Sequence, residues 1–212
     1  MNFQKEGLYL LNKPRGRSSF SIVAQVRRLS GIKKVGHAGT LDPEAEGLLL
    51  VLVGKDYTRQ AEKYSKLDKT YEFVIKLGEF STTDDEEGDK SEVSSRKPQK
   101  AEIEKIIKNL TGEISQKPPI YSAIKVGGQR AYKLARKGEE IDMPSRKVQI
   151  DRFEILSYEY PLVKLKADVS SGTYIRSLAR EIGQQLGTGA YCTQIIRTKI
   201  GEFNLEDATN IE

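Results

Sequence analysis

Apolar and polar residues recur along this chain with two periods. Between Lys69 and Leu77, the residues Tyr71, Phe73, Ile75 and Leu77 fall on alternate positions, the spacing of a strand buried on one face. Leu162 to Val169 repeats the pattern with Val163, Leu165, Ala167 and Val169, and Gly7 to Leu11 and Val148 to Leu156 read as further strands. Leu48 to Val53 is apolar throughout and is closed by Gly54, which predicts a strand covered on both faces. Elsewhere the period is helical. Ile22, Val23, Val26 and Leu29 form one stripe, with Ser18 or Ser19 as cap and Gly31 as stop. Ile103, Ile106, Ile107 and Leu110 form a second stripe within Ala101 to Leu110, stopped by Gly112. Ile175, Leu178, Ala179 and Ile182 form a third, running to about Leu186, and Tyr57 to Leu67 is a weaker helix. Strands and helices interleave without an internal repeat. The length suits one domain, or one domain with an inserted subdomain.

The polar stretches between these elements carry the candidate chemistry. Gly36 to Gly47 reads as a glycine-rich loop that presents Asp42 just before the apolar Leu48–Val53 strand. On spacing alone Asp42 is either a turn former beside Pro43 or a reactive carboxylate. Glu79 to Lys100, with Asp84, Asp85, Glu86, Glu87 and Asp89 close together, reads as a mobile, solvated loop. Tyr174 and Arg176 fall at a strand-to-helix junction, where site residues concentrate in mixed folds.

Charge adds one feature. The net charge of +5 sits in Lys117 to Lys147, which holds eight cations against three acids, while the rest of the chain is balanced. Tyr121 and Tyr132 lie among those cations and Gly127-Gly128 makes the segment pliant. The mixture suits stacking and phosphate contact with a polyanion, or a plain solvated surface. One histidine and one cysteine, Cys192, offer neither an internal disulfide nor a zinc pattern. No apolar run approaches the ~20 residues that span a bilayer, and Met1 to Gly7 does not resemble a signal peptide. A cytoplasmic chain is expected.

Five motifs in register resemble the TruB family of tRNA pseudouridine synthases. Gly36-His37-Ala38-Gly39-Thr40-Leu41-Asp42-Pro43 resembles its catalytic loop and Asn12-Lys13-Pro14-Arg15-Gly16 its first motif. Lys69-Thr70-Tyr71 resembles its tyrosine strand, and Tyr121-Ser122-Ala123-Ile124-Lys125 the start of its RNA-gripping insertion. Ser171-Gly172-Thr173-Tyr174-Ile175-Arg176 resembles its arginine motif. The resemblance runs from about residue 7 to residue 208. It implies the pseudouridine synthase fold, α+β in class, with a mixed, largely antiparallel sheet flanked by helices in one catalytic domain over residues 1–212. It also implies isomerisation of uridine to pseudouridine at position 55 of the tRNA T-loop, by base flipping and without metal or organic cofactor. By the same resemblance Asp42, Tyr71 and Arg176 are catalytic, with Arg176 as the partner of Asp42. His37, Tyr71, Tyr174 and Ile195 hold the RNA, and Lys13 and Pro14 brace the Asp42 loop. A thumb over Lys117 to Met143 grips RNA through Lys125, Arg130, Lys133 and Arg136. The family often carries an acid where Thr82 stands in Ser81-Thr82-Thr83. Its chains usually continue into an RNA-binding PUA domain; this sequence ends at Glu212, so the expectation is a short form without that domain, either naturally minimal or a truncated piece of a longer chain. The expected partner is the tRNA T-arm, with no membrane, no obligate protein partner and a monomeric state. A tRNA-folding chaperone acting without turnover is the rival reading, against which Asp42 and Arg176 together speak for an enzyme.

Overall fold

A strand apolar at six successive positions needs cover on both faces. In the computed structural model, which describes residues 3, 5–122, 124–135, 137–139 and 141–211, that cover is provided. The chain runs β1 (Gly7–Lys13), α1 (Ser19–Ser30), β2 (Val35–Ala38), β3 (Glu46–Val53), α2 (Lys55–Thr58), α3 (Ala61–Ser65), β4 (Lys69–Leu77), β5 (Glu79–Ser81) and β6 (Lys90–Glu92). It continues with α4 (Lys100–Leu110), β7 (Gly112–Gln116), β8 (Lys125–Val126), β9 (Gln129–Arg130), α5 (Ala131–Ala135), β10 (Arg146–Glu159) and β11 (Leu162–Val169). The last elements are α6 (Ile175–Leu186), β12 (Ala190–Ile200), β13 (Phe203–Asn204), a 3-10 turn (Leu205–Asp207) and β14 (Thr209–Asn210). The α+β expectation holds, with a mixed sheet.

Two compact units divide the chain. The first comprises Met1–Glu72, Asp168–Ser171 and Gln194–Glu212. Its strand order is β14-β1-β3-β12, with β2 also paired to β3. One face of β3 (Leu49, Val51, Val53) packs with Leu11 and with Ile22, Val23 and Val26 of α1. The other face (Leu48, Leu50, Leu52) packs with Ala38 and Ile200, and Tyr57, Ala61 and Tyr64 close over it. The second unit comprises Phe73–Ala167 and Gly172–Thr193, with strand order β4-β11-β10-β7. Helix α4 lays its predicted stripe of Ile103, Ile106, Ile107 and Leu110 inward and packs on β10 and α6. Its start is a capping box, in which Gln99 N–H donates to Glu102 Oε2 at 2.8 Å.

Four local readings change. Gly36 and His37 belong to β2, opposite Leu52 and Val51, so the loop proper starts at Gly39. The single helix expected over 57–67 is two short ones, because Gln60 interrupts it with a bridge-region backbone (φ −88°, ψ 0°). The tail around Ile195-Ile196 is part of an eleven-residue strand, β12, which its mixed sequence hides. The acidic segment is solvated only in part: Glu86, Glu87 and Asp89 are exposed, but two of its acids are not. Its ends pair as β5 and β6, and Asp84 and Asp85 are buried because arginines compensate them.

Candidate active site

The Asp42 loop is fastened by its own backbone. Ser18 caps α1, its Oγ accepting from Ser21 N–H at 3.1 Å, which leaves Ser19 for another task. Buried Ser19 Oγ accepts from Leu41 N–H at 2.9 Å and donates to Leu41 O at 3.0 Å. On the other side of Asp42, Pro43 O accepts from Gly16 N–H at 2.9 Å and from Lys13 Nζ at 3.0 Å. Lys13 Nζ also donates to Pro14 O and Arg17 O, so all three ammonium protons of a fully buried lysine are used on carbonyls. The fully buried Arg197 of β12 completes the frame. It donates to Leu48 O at 2.8 Å, Gly39 O at 3.1 Å and Thr40 O at 3.5 Å. Gly47 is obligatory opposite it: with φ at 104°, a Cβ would lie 2.4 Å from Arg197 O.

Half-buried Asp42 therefore sits between two pinned residues, within charge-interaction range of Lys13. Burial pulls Lys13 down to about 8, and the Asp42 carboxylate is the foremost charge opposing that. Lys69, which donates to Ser65 O and Leu67 O, is also pulled to about 8, first by burial and then by Arg197. His37 is pushed down by burial and by Arg197, which favours a neutral imidazole. Tyr71 is buried on β4, and half-buried Ile195 lies next to the register pair Ile196↔Glu46 at the foot of the loop. The first unit thus brings Lys13, Pro14, His37, Asp42, Tyr71 and Ile195 together in one body.

Tyr174 and Arg176 belong to the second unit. Arg176 is buried and reaches Asp85 at 3.1 Å, Thr83 O at 2.9 Å and Tyr121 O at 2.9 Å. One turn on, Arg180 bonds Asp84 and donates to Lys117 O at 2.6 Å, which Ser177 Oγ also reaches at 2.9 Å. Helix α6 thereby grips both the acidic turn and the start of the thumb. Thr82, considered as a replacement for an acid, instead pairs with Asp89 across the turn. In the thumb, exposed Lys125 and Arg130 stand directly opposite on the β8–β9 ribbon, and exposed Lys133 follows in α5. Arg136 lies outside the described residues.

Three of these residues escaped the reading of the sequence as site residues: Ser19, Asp85 and Arg197. Arg197 carries no local signal in the sequence, and Asp85 looked like one acid among many. Ser19 had a signal, since two adjacent serines stand where one cap is needed.

A family model described as TruB family pseudouridylate synthase (N terminal domain) matches residues 27–175. The chain belongs to the TruB family. It is 45% identical, over 98% of its own length and 75% of the relative's, to a protein named tRNA pseudouridine synthase B in Geobacillus kaustophilus. The protein of that name in Chlamydia pneumoniae is 41% identical, with 96% of this chain and 86% of that one covered. Among solved structures, a chain of a Cbf5-Nop10-Gar1 complex superposes with a TM-score of 0.77 at 29% identity. That match covers 100% of this chain and 54% of the other, so the TruB-family chain spans about half of it. A chain of an H/ACA RNP bound to a substrate RNA containing 2'-deoxyuridine gives 0.73 at 26% identity. The TruB-family chain is accordingly an enzyme of the isomerase class, with the pseudouridine synthase fold. No helix among its described residues is long and apolar enough to cross a membrane.

Proposed function

We propose that this TruB-family enzyme isomerises uridine to pseudouridine at position 55 in the tRNA T-loop, with Asp42 as nucleophile. The observation that carries the reading is the mounting of Asp42. It is held between Leu41 and Pro43, whose backbone groups are tied down by Ser19, Gly16 and Lys13, while Arg197 holds the carbonyls of Gly39 and Thr40 just before it. A turn former needs no such frame; an attacking carboxylate needs position and an environment that favours its charge.

In the reaction the C1′–N1 bond breaks, the base turns while held, and a C1′–C5 bond forms. The C5 proton leaves to solvent and N1 takes one up, so the product is an isomer. The target base is flipped from the loop, at a cost of a few kcal/mol. Stacking on an aromatic such as Tyr71 offsets about 1–3 kcal/mol of that. Arg176 is the catalytic cation of the second unit, and Tyr174 and Ile195 line the base. Neutral His37 packs on the reordered T-loop. The thumb, Lys117 to Met143, closes on phosphates through Lys125, Arg130, Lys133 and Arg136. The T-arm is the minimal substrate, and the enzyme acts as a monomer in the cytoplasm.

The test is tritium release from C5-labelled uridine in an unmodified tRNA transcript, for the wild type and for Asp42→Asn. Release by the wild type alone supports the reading. RNA binding without release by either protein favours the chaperone.

A further inference from the structure

Tyr174 enters α6 as its N-cap with an extended backbone (φ −101°, ψ 116°) and without a capping side chain. Its backbone is held from elsewhere. Gln116, buried at the end of β7, donates from Nε2 to Tyr174 O at 3.1 Å, and its Oε1 accepts from Tyr174 N–H at 2.8 Å. This two-point amide clamp sets the direction in which the tyrosine leaves the chain.

The ring has a second support. Arg146 stands directly opposite Gln116 in the β7–β10 register, so the two side chains share one face of the sheet. Its guanidinium lies over the Tyr174 ring, 4.7 Å from the centroid. Arg146 Nε is buried with no hydrogen-bond partner among the described residues, so the ring face is what compensates that side of the cation. Gly172 lies beside the guanidinium, where a Cβ would meet it in ordinary contact at 3.5 Å; it is its φ of 90° that favours glycine. Gln116 ends β7 and Arg146 begins β10, so the cross-strand pair is also where the thumb leaves the sheet and returns to it.

We infer that Gln116 and Arg146 are positioning residues for Tyr174, one holding its backbone and the other its ring, and that they link the root of the thumb to the base pocket. The link to the pocket rests on the reading of Tyr174 given above. Neither residue touches the reacting atoms in this account. RNA drawn in by the thumb pulls on the two strand ends that carry the pair, and Tyr174 responds.

The experiment has two arms, both on the full chain. The first measures single-turnover tritium release at saturating tRNA, together with tRNA affinity over a range of salt. Arg146→Gln is expected to slow release about tenfold with affinity and salt slope unchanged, and Arg146→Lys to recover part of the rate. Gln116→Ala should slow release by a similar factor. The Arg146→Gln effect should persist beside Tyr174→Phe, which keeps the ring, and vanish beside Tyr174→Leu, which removes it. The second arm is a double-mutant cycle of Arg146→Gln and Tyr174→Leu in urea unfolding, where a coupling of at least about threefold in the unfolding constant is expected. A loss of affinity with a salt slope shallower by about one, at unchanged rate, would make Arg146 a phosphate contact and overturn the inference. So would a zero coupling, or a lowered Tm with an unaltered rate per active site. If the wild type itself releases no tritium, the proposed function fails, while the unfolding cycle still decides whether Arg146 holds Tyr174.

Discussion

Two regions of this molecule bury cations, and they do so in opposite ways. Around Asp42, the hydrogen bonds of Lys13, Lys69 and Arg197 go to backbone carbonyls. Around Thr83–Asp85, Arg176 and Arg180 are compensated by the buried carboxylates of Asp85 and Asp84. A carbonyl satisfies the donor and leaves the charge; a carboxylate cancels it. The first arrangement gives a loop pinned through its carbonyls by side chains that are not hydrogen-bonded to a carboxylate in those contacts. The second gives a nearly neutral joint that ties α6 to the acidic turn and to the thumb through Lys117 O and Tyr121 O.

The sharpest way to break this comparison is to remove the anion that the first region serves. Asp42→Asn is expected to abolish tritium release while tRNA affinity, measured by filter binding, stays within about twofold. Next comes the frame. Arg197→Met leaves the carbonyls of Gly39, Thr40 and Leu48 without their donor, at about 1–3 kcal/mol for each buried one. It should lower urea-unfolding stability by several kcal/mol and slow single-turnover release by more than about a hundredfold, with Arg197→Lys between the two. In the second region, Asp85→Asn leaves the buried Arg176 without the carboxylate seen at 3.1 Å. A loss of about 3–5 kcal/mol is expected for breaking such a pair. A loss below 1 kcal/mol would mean that Asp85 is not what compensates Arg176.

Two smaller effects sharpen the contrast. Replacing Arg130, Lys133 and Arg136 by Gln together should weaken tRNA binding and flatten its salt dependence by about two in the log–log slope, with the rate at saturation kept. An unchanged slope removes the thumb from the RNA interface. The smallest concerns Asp84, which burial raises to about 6 from 3.8, against the pull of Arg180 and Arg176 and with the help of Asp85. Between about pH 4 and 6 the native state then holds more proton than the unfolded chain, so this group's contribution to stability falls as pH rises through that window. Unfolding titrations at pH 4, 5 and 6 should show the wild type losing stability relative to Asp84→Asn as pH increases. The opposite slope would mean that the arginines outweigh burial.

What could be read from the chain differs between the regions for the same reason. The Asp42 loop is local: its glycines, its proline and the apolar strand behind it lie within twenty residues, and β3 and the three helical stripes follow from period alone. The acidic turn was misread because composition cannot tell a solvated carboxylate from one whose compensating arginine lies more than ninety residues away. Arg197 was missed likewise, since it meets Gly39, Thr40 and Leu48 across some one hundred and fifty residues.

By itself, then, the sequence determined the periodic elements, the buried strand and the loop that presents Asp42, because each depends on neighbours a few positions apart. The tertiary structure decided which cations stay uncancelled and which are paired. It also decided which of two adjacent serines caps a helix and which holds Leu41, and it placed Gln116 and Arg146 together on Tyr174. Those outcomes depend on burial and on partners brought close only by folding, and charge at a distance in sequence carries no sign of either.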